Sequence, residues 1–98
     1  MTNANVPKAN IAKALKVARN AKQLSQEDFS LVSSRTYLST LERGMKSPTL
    51  SKLDELANTL EVHPLTLMTL AYLQNPSVDS PVDLLKLVSS EVKSIQRV

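Results

Sequence analysis

The 98-residue sequence predicts an all-α protein, in which a domain of five short helices is followed by a sixth, C-terminal helix. Leucine occurs 16 times, whereas valine and isoleucine together occur 11 times, and this balance favours helix over strand. Apolar residues also recur at intervals of three and four positions through most of the chain, as on one face of an α-helix. The length accommodates one small domain with a single core.

The first helix is predicted over about residues 9–22, where apolar residues recur at helical spacing opposite charged ones. Its inward stripe consists of Ile11, Ala14, Leu15, Ala18 and Ala21. A short second helix follows over 26–32, with Ser25 as its N-cap. We expect this helix to turn Phe29 and Val32 inward, so that both helices contribute to one core.

The third helix is predicted from Arg35 to about Arg43, directly after two serines that can cap it. Its apolar face carries Leu38 and Leu41. Gly44 ends this helix, because glycine readily adopts the left-handed backbone that commonly follows a helix C-terminus.

Three more helices are predicted in the second half of the chain. Thr49 caps the fourth helix, whose inward residues are Leu50, Leu53, Leu56, Ala57 and Leu60. Pro64 opens a fifth helix that extends to about Leu73. After a linker over 75–80, Pro81 opens the sixth helix. Its apolar stripe consists of Leu84, Leu85, Val88, Val92 and Ile95.

The composition argues against several classes of function. The chain has no cysteine, one histidine and one glycine, so thiolate metal sites, imidazole clusters and glycine-rich phosphate loops are not expected. No motif indicates catalysis or a bound cofactor. No apolar run reaches the roughly 20 residues of a membrane span. We therefore expect a cytoplasmic protein that is not an enzyme, needs no metal or cofactor and does not bind a membrane.

Positive charge is concentrated near the N-terminus of the chain. The first 24 residues carry five basic side chains and no acidic one, out of a net charge of +3 for the whole chain. Residues 47–74 carry one lysine against three carboxylates, a balance of −2, and residues 75–98 are neutral. A clustered positive charge points toward a polyanion, most simply nucleic acid, although a solvated helix face is equally compatible with charge alone.

The second and third helices have the arrangement of an element that enters the DNA major groove. They are short and joined by a few residues, and the third begins with small hydroxyl side chains and an arginine. Arg35 can bond O6 and N7 of a guanine together, and Ser34, Thr36, Ser39 and Thr40 can bond bases or phosphates. Gln26, at the start of the second helix, can donate its side-chain amide to a phosphate.

The sequence resembles the lambda-repressor-like helix-turn-helix family of the Cro and XRE type over about residues 10–72. Four motifs carry the resemblance in the family order: LSQEDF at 24–29, SRTYLS at 34–39, LERG at 41–44 and SPTL at 47–50. The resemblance implies a DNA-binding transcriptional regulator of bacteria or phages, nucleoid-associated, that binds a palindromic operator as a homodimer and acts as a repressor. It divides the chain into an N-terminal arm (1–9), a helix-turn-helix domain (10–74) and a linker with a C-terminal dimerisation helix (75–98).

The family pattern also implies roles for individual residues. Gln26 corresponds to a phosphate-contacting position, and Tyr37 and Arg43 correspond to positions that touch the sugar-phosphate backbone. Arg19 and Glu42 correspond to a structural ion pair. The predicted DNA-binding residues are Gln26, Ser34, Arg35, Thr36, Tyr37, Ser39, Thr40, Arg43 and Lys46.

The sequence departs from the family pattern at two places. The stretch between Phe29 and Ser34 is about two residues short and lacks the usual turn glycine, so the second helix must be truncated or the turn must be different. Gln23 stands where a helix-ending glycine is common.

Three readings of the C-terminal region stay open. The fifth helix is apolar on nearly every side, which predicts either burial under the sixth helix or an interface with a second copy. The proposed dimer interface comprises Leu67, Leu70, Leu73, Leu85, Val88, Val92 and Ile95. The same apolar surface suits an antitoxin or a helical module that captures a protein partner, with DNA binding secondary.

Tyr37 is also compatible with a half-buried packing role instead of a contact with the DNA backbone.

Overall fold

The computed structural model describes residues 9–75 and 80–97. Within these ranges every regular element is helical, and the predicted all-α class is confirmed. The elements are, in chain order, α1 (Ile11–Ala21), a 3₁₀ helix (Gln26–Phe29), α2 (Arg35–Glu42), α3 (Leu50–Leu60), α4 (Pro64–Leu73) and α5 (Pro81–Gln96). The predicted third to sixth helices are thus α2 to α5. No described helix is both long and apolar enough to cross a membrane.

Polar side chains begin the helices where the sequence indicates. Ser34, Thr49 and Ser80 each accept a hydrogen bond at 3.1 Å from the backbone N–H three residues further on. Asn10 does the same at α1. His63 precedes Pro64 and accepts the Leu65 N–H at its Nδ1, so its imidazole acts as the cap of α4. These caps satisfy amides that have no partner inside their own helix.

The predicted second helix is much shorter than expected. Its regular part is a single 3₁₀ turn of four residues instead of a helix over 26–32. The Phe29 carbonyl accepts both the Val32 N–H at 3.0 Å and the Ser33 N–H at 2.9 Å, and the chain turns there toward the start of α2. With two residues fewer than usual, the segment can reach α2 only by replacing helical turns with this tight bend. Leu31, in the bend, is 99% exposed.

The core lies between α1, the 3₁₀ helix, α2, α3 and α4. Its buried apolar side chains are Ala14, Leu15, Phe29, Leu38, Leu41, Leu53, Leu56, Ala57, Leu60, Leu67 and Ala71. Two predicted core residues are exposed instead. Ala21 is the last residue of α1 and Leu50 is the first of α3, so both stand at helix ends.

One residue predicted at a dimer interface belongs to this core. Leu67 is 1% exposed and packs inside the domain, so it is unavailable to a partner and its assignment to the interface was wrong. Leu70 and Leu73 are half-buried. The apolar character of α4 on nearly every side reflects two uses, since one face packs in the core and another lines a groove toward α5.

The C-terminal helix α5 has no buried residue. Among the elements of the described residues, it packs mainly against α4, and an apolar groove of about 350 Å³ lies between the two helices. Burial of α4 under the sixth helix is therefore only partial. The predicted arm falls mainly on residues 1–8 and the predicted linker on 76–79, both outside the described residues.

Candidate nucleic-acid interface

The helix α2 has one buried face and one exposed face. Leu38 and Leu41 are buried in the core, whereas Arg35 and Thr36 are exposed in the first turn. Ser34 is exposed as well, although its hydroxyl oxygen already accepts the Tyr37 N–H. The outward face of this first turn therefore consists of short polar side chains around a single arginine, as a helix needs if its backbone is to approach base edges closely.

Arg35 forms an ion pair with a carboxylate from the preceding helix. Its Nη1 lies 3.6 Å from Glu27 Oε1, and the two side chains are 72% and 75% exposed. Glu27 lies in the first turn of the 3₁₀ helix, where an acidic side chain is favourable by itself, so the sequence carries no signal for a pair with Arg35. The contact arises because the bend in the chain brings the 3₁₀ helix beside the start of α2.

A second arginine–glutamate pair lies deeper, between α1 and α2. Arg19 donates from Nε to Glu42 Oε2 at 2.6 Å and from Nη2 to Oε1 at 2.9 Å, with side-chain exposures of 13% and 5%. Its Nη1 donates to the Leu24 carbonyl at 2.9 Å. Hydrogen bonding to Glu42, together with its negative charge, raises the pKa of Arg19, while burial opposes the rise. The arrangement ties α1 to the C-terminal end of α2.

Gln26 is attached to this pair instead of being free. Its Nε2 donates to Glu42 Oε1 at 3.2 Å, and the side chain is half-buried. An open cleft of about 380 Å³ adjoins it, lined by Arg19, Ser25, Gln26, Glu27 and Arg35. A phosphate contact by Gln26 would therefore use the second N–H of its amide, with the first held by Glu42.

Two lysines approach the ring of Tyr37. The ammonium nitrogens of Lys46 and Lys52 are each 5.9 Å from the centre of its ring, and the ring is half-buried. The Lys52 ammonium also donates to the Val32 carbonyl and pairs with Glu55 at 2.9 Å. Sequence reasoning missed Lys52, whose signal is that it is the one basic residue in the acidic stretch 47–74. It fastens the bend before α2 to α3.

The remaining predicted contacts lie toward the end of α2. The Thr40 hydroxyl donates to the Thr36 carbonyl at 2.8 Å, so its proton is used inside the helix. Arg43 Nε makes a long hydrogen bond of 3.4 Å to the Ser39 carbonyl, which leaves the other N–H groups of this exposed side chain available. Lys46 is exposed in the following loop. Ser39 and Thr40 are half-buried, unlike the residues of the first turn.

Comparison with known proteins bears directly on this arrangement. A family model described as Helix-turn-helix matches residues 15–67, which run from α1 into α4. The chain belongs to the lambda-repressor-like helix-turn-helix family. This is a family of DNA-binding transcription regulators. No curated protein and no solved structure matches the chain significantly.

Both departures from the usual helix-turn-helix pattern are visible in the backbone. Gln23 has a φ of 59°, the left-handed conformation that glycine adopts without strain. Gly44 has a φ of 75° after α2, where the family glycine is present. A Cβ on Gly44 would lie 3.7 Å from that of Ala12, an ordinary contact distance, so its backbone angle is what requires glycine there. The shortened turn is closed by the bifurcated Phe29 carbonyl and by Lys52.

Proposed function

We propose that this protein is a sequence-specific transcriptional repressor that binds a palindromic operator as a homodimer. The observation that carries the proposal is the first turn of α2, where Arg35 and Thr36 stand exposed on a helix whose other face is locked in the core. A rigid helix with an outward arginine can present a guanidinium to the major groove at low entropic cost. Occupation of the operator by the dimer would then block transcription by steric exclusion.

Phosphate contacts would position this helix on the duplex. Lys13, Lys16 and Lys22 are exposed on or just after α1, and Arg43 and Lys46 are exposed beyond the end of α2. Such side chains supply affinity that depends on salt and not on sequence. The acidic balance of residues 47–74 favours an orientation in which α3 and α4 lie farther from the DNA.

A second copy is the proposed partner of α5. Leu85, Val88, Val92 and Ile95 are 41–71% exposed and follow one another at intervals of three, four and three residues. This is the spacing of apolar positions along a two-helix seam. One small module reads too few base pairs to locate a genomic site, and a two-fold dimer on half-sites about 10 base pairs apart supplies the missing information.

Selection of bound fragments from random DNA tests the proposal. We expect a palindromic consensus, and we expect Arg35→Ala to weaken binding to it by about 1–3 kcal/mol while relaxing the preference at one base position. A consensus that Arg35→Ala leaves unchanged would reassign Arg35 to a phosphate or to the solvent. The absence of any selected sequence would contradict the proposed function itself.

The groove between α4 and α5 favours a second candidate, a protein-interaction module such as an antitoxin. Its lining is mainly apolar and includes Leu65, Met68, Leu84, Leu85 and Val88. Under this reading the purified chain is monomeric, binds DNA weakly and recovers tight binding only with its protein partner. Sedimentation of the chain alone, with and without the selected DNA, distinguishes the two candidates.

A further inference from the structure

Two glutamates form ion pairs with arginines in this region, and they differ in how they are used. Glu42 is nearly buried, and its carboxylate accepts two hydrogen bonds from Arg19 and one from Gln26. Glu27 is 75% exposed, and its carboxylate pairs with Arg35 at 3.6 Å. A carboxylate beside a DNA-binding surface is unfavourable for binding, because it repels phosphates. Glu27 suits the first turn of its own helix, but its place next to Arg35 allows a second role.

The chemistry of the guanidinium suggests that role. Arginine carries five N–H donors in a rigid planar fork, and a bidentate contact with guanine O6 and N7 uses two of them along one edge. Other donors remain for a carboxylate. An arginine held by both partners has lost its freedom to swing toward the phosphates, and its plane is fixed for the base edge.

The Glu27–Arg35 pair is weak in the free protein because solvent surrounds it. The pair becomes stronger in a complex, where DNA excludes that solvent. In water, two side chains that are about three-quarters exposed attract each other little. Insertion of α2 into a groove removes water from around them and lowers the local dielectric constant, which strengthens the interaction. The contact would thus act mainly when DNA is bound.

We propose that Glu27 is a positioning residue that orients the Arg35 guanidinium for a bidentate guanine contact and thereby sets the preference for guanine at that position. This inference rests on the proposed function, since it requires Arg35 to read a base. It assigns to the 3₁₀ helix a part in specificity beyond the support of α2.

The test measures the preference for guanine over other bases at one position, and not the affinity for DNA alone. Removal of a negative charge tightens binding to every DNA sequence, but this effect cancels in the ratio of affinities for the selected site and for the same site with the guanine replaced. The guanine is identified as the position whose preference is lost in Arg35→Ala. Four variants are compared with the wild type. Two are the single substitutions Glu27→Gln and Glu27→Asp, and two combine Glu27→Gln with either Arg35→Ala or Arg35→Lys. Asp54→Asn is the matched control, because it removes one exposed charge from α3 without touching Arg35.

We expect Glu27→Gln to lower the guanine discrimination roughly 3- to 10-fold, and Glu27→Asp to lower it less. The effect should be absent with Arg35→Ala and reduced with Arg35→Lys, and Asp54→Asn should leave the discrimination ratio unchanged. Unfolding midpoints equal to that of the wild type would show that the exposed side chain acts on recognition and not on folding.

Three results would overturn the inference while the proposed function stands. Glu27→Gln could tighten all sequences alike, which would make Glu27 only a repulsive charge. Glu27→Gln could change the preference for cytosine even when it is combined with Arg35→Ala. Because a carboxylate can accept a hydrogen bond from cytosine N4, that result would make Glu27 a direct base reader. Arg35→Ala could leave the consensus intact, so that there is no base contact to orient. A wild-type protein that selects no DNA sequence overturns both the inference and the proposed function.

Discussion

Helices α1, α2 and α3 of the domain and the C-terminal helix α5 are similarly amphipathic, but their apolar faces are buried to very different extents. Each helix of the domain contacts at least two other elements, and eleven apolar side chains are enclosed between them. Helix α5 contacts chiefly α4 and has no buried residue. An amphipathic pattern therefore identifies the apolar face of a helix, but it does not reveal whether the rest of the same chain buries that face.

The largest effect on stability is expected when the nearly buried Arg19–Glu42 ion pair is broken. Glu42→Ala leaves the Arg19 guanidinium without its carboxylate in a nearly buried position, and we expect a loss of about 3 kcal/mol in the free energy of unfolding. Denaturant titration measures this loss. Because the loss comes from a stranded charge, the double substitution Arg19→Met with Glu42→Met should recover much of it. Stability equal to wild type in Glu42→Ala would mean that the pair is fully solvated.

A charge introduced on the apolar face of α5 should act mainly on assembly. We expect Val88→Asp to lower the unfolding free energy of the monomer by no more than about 1 kcal/mol, since Val88 lines the α4–α5 groove but is 41% exposed. Dimerisation should weaken at least about 100-fold, or roughly 2.7 kcal/mol. Sedimentation at micromolar concentration measures the change, with Ser90→Asp on another face of α5 as the control. A monomeric wild type, or a dimer unaffected by Val88→Asp, would remove α5 from the interface.

A smaller effect concerns the bend that joins the 3₁₀ helix to α2. Lys52→Met keeps the aliphatic stem but removes the hydrogen bond to the Val32 carbonyl, and we expect a loss of about 1–2 kcal/mol. Amide exchange at Ser33 should accelerate, because that amide closes the bend. Lys46→Met is the matched control, since Lys46 lies equally close to Tyr37 but is not bonded to the bend. Equal behaviour of the two variants would show that the bend does not depend on Lys52.

The smallest effect is a gain in stability. Gln23 has a positive φ after α1, so Gln23→Gly should relieve backbone strain and stabilise the domain by about 0.5–1 kcal/mol. The neighbouring Lys22 has an ordinary φ of −86°, and Lys22→Gly should instead destabilise. Thermal unfolding of the two variants side by side measures the difference. A loss of stability in Gln23→Gly would indicate that the glutamine side chain contributes more than its backbone strain.

Features governed by neighbouring residues could be predicted from the sequence. The caps at Ser34, Thr49 and Ser80 and the end of α2 at Gly44 follow from rules that act within one helical turn. The family and the all-α class were predicted from motif spacing and periodicity, and both are confirmed. Leu67 was misassigned because periodicity does not reveal which of two apolar faces of α4 enters the core.

Contacts between elements were less accessible to sequence reasoning. Lys52 reaches Val32 across 20 positions of the chain, and Glu27 meets Arg35 only because the intervening segment bends so tightly. The shortened turn was visible as two missing residues, but its geometry depends on a carbonyl that accepts two amides and on a lysine from α3. Lys52 stands out in the sequence as the one basic residue of the acidic stretch 47–74, but that signal does not identify its partner.

The two faces of α2 also bear on how such a protein can change over time. Leu38 and Leu41 hold the helix in the domain, while Arg35 and Thr36 are exposed and lie outside the core. Substitutions at the two exposed positions should therefore leave foldability almost untouched, and under the proposed function they alter the chemistry offered to a base pair. Under the proposed function, successive operator preferences could be reached one replacement at a time, each through a fully folded intermediate. A regulator and its binding site can then diverge together without a loss of stability at any step.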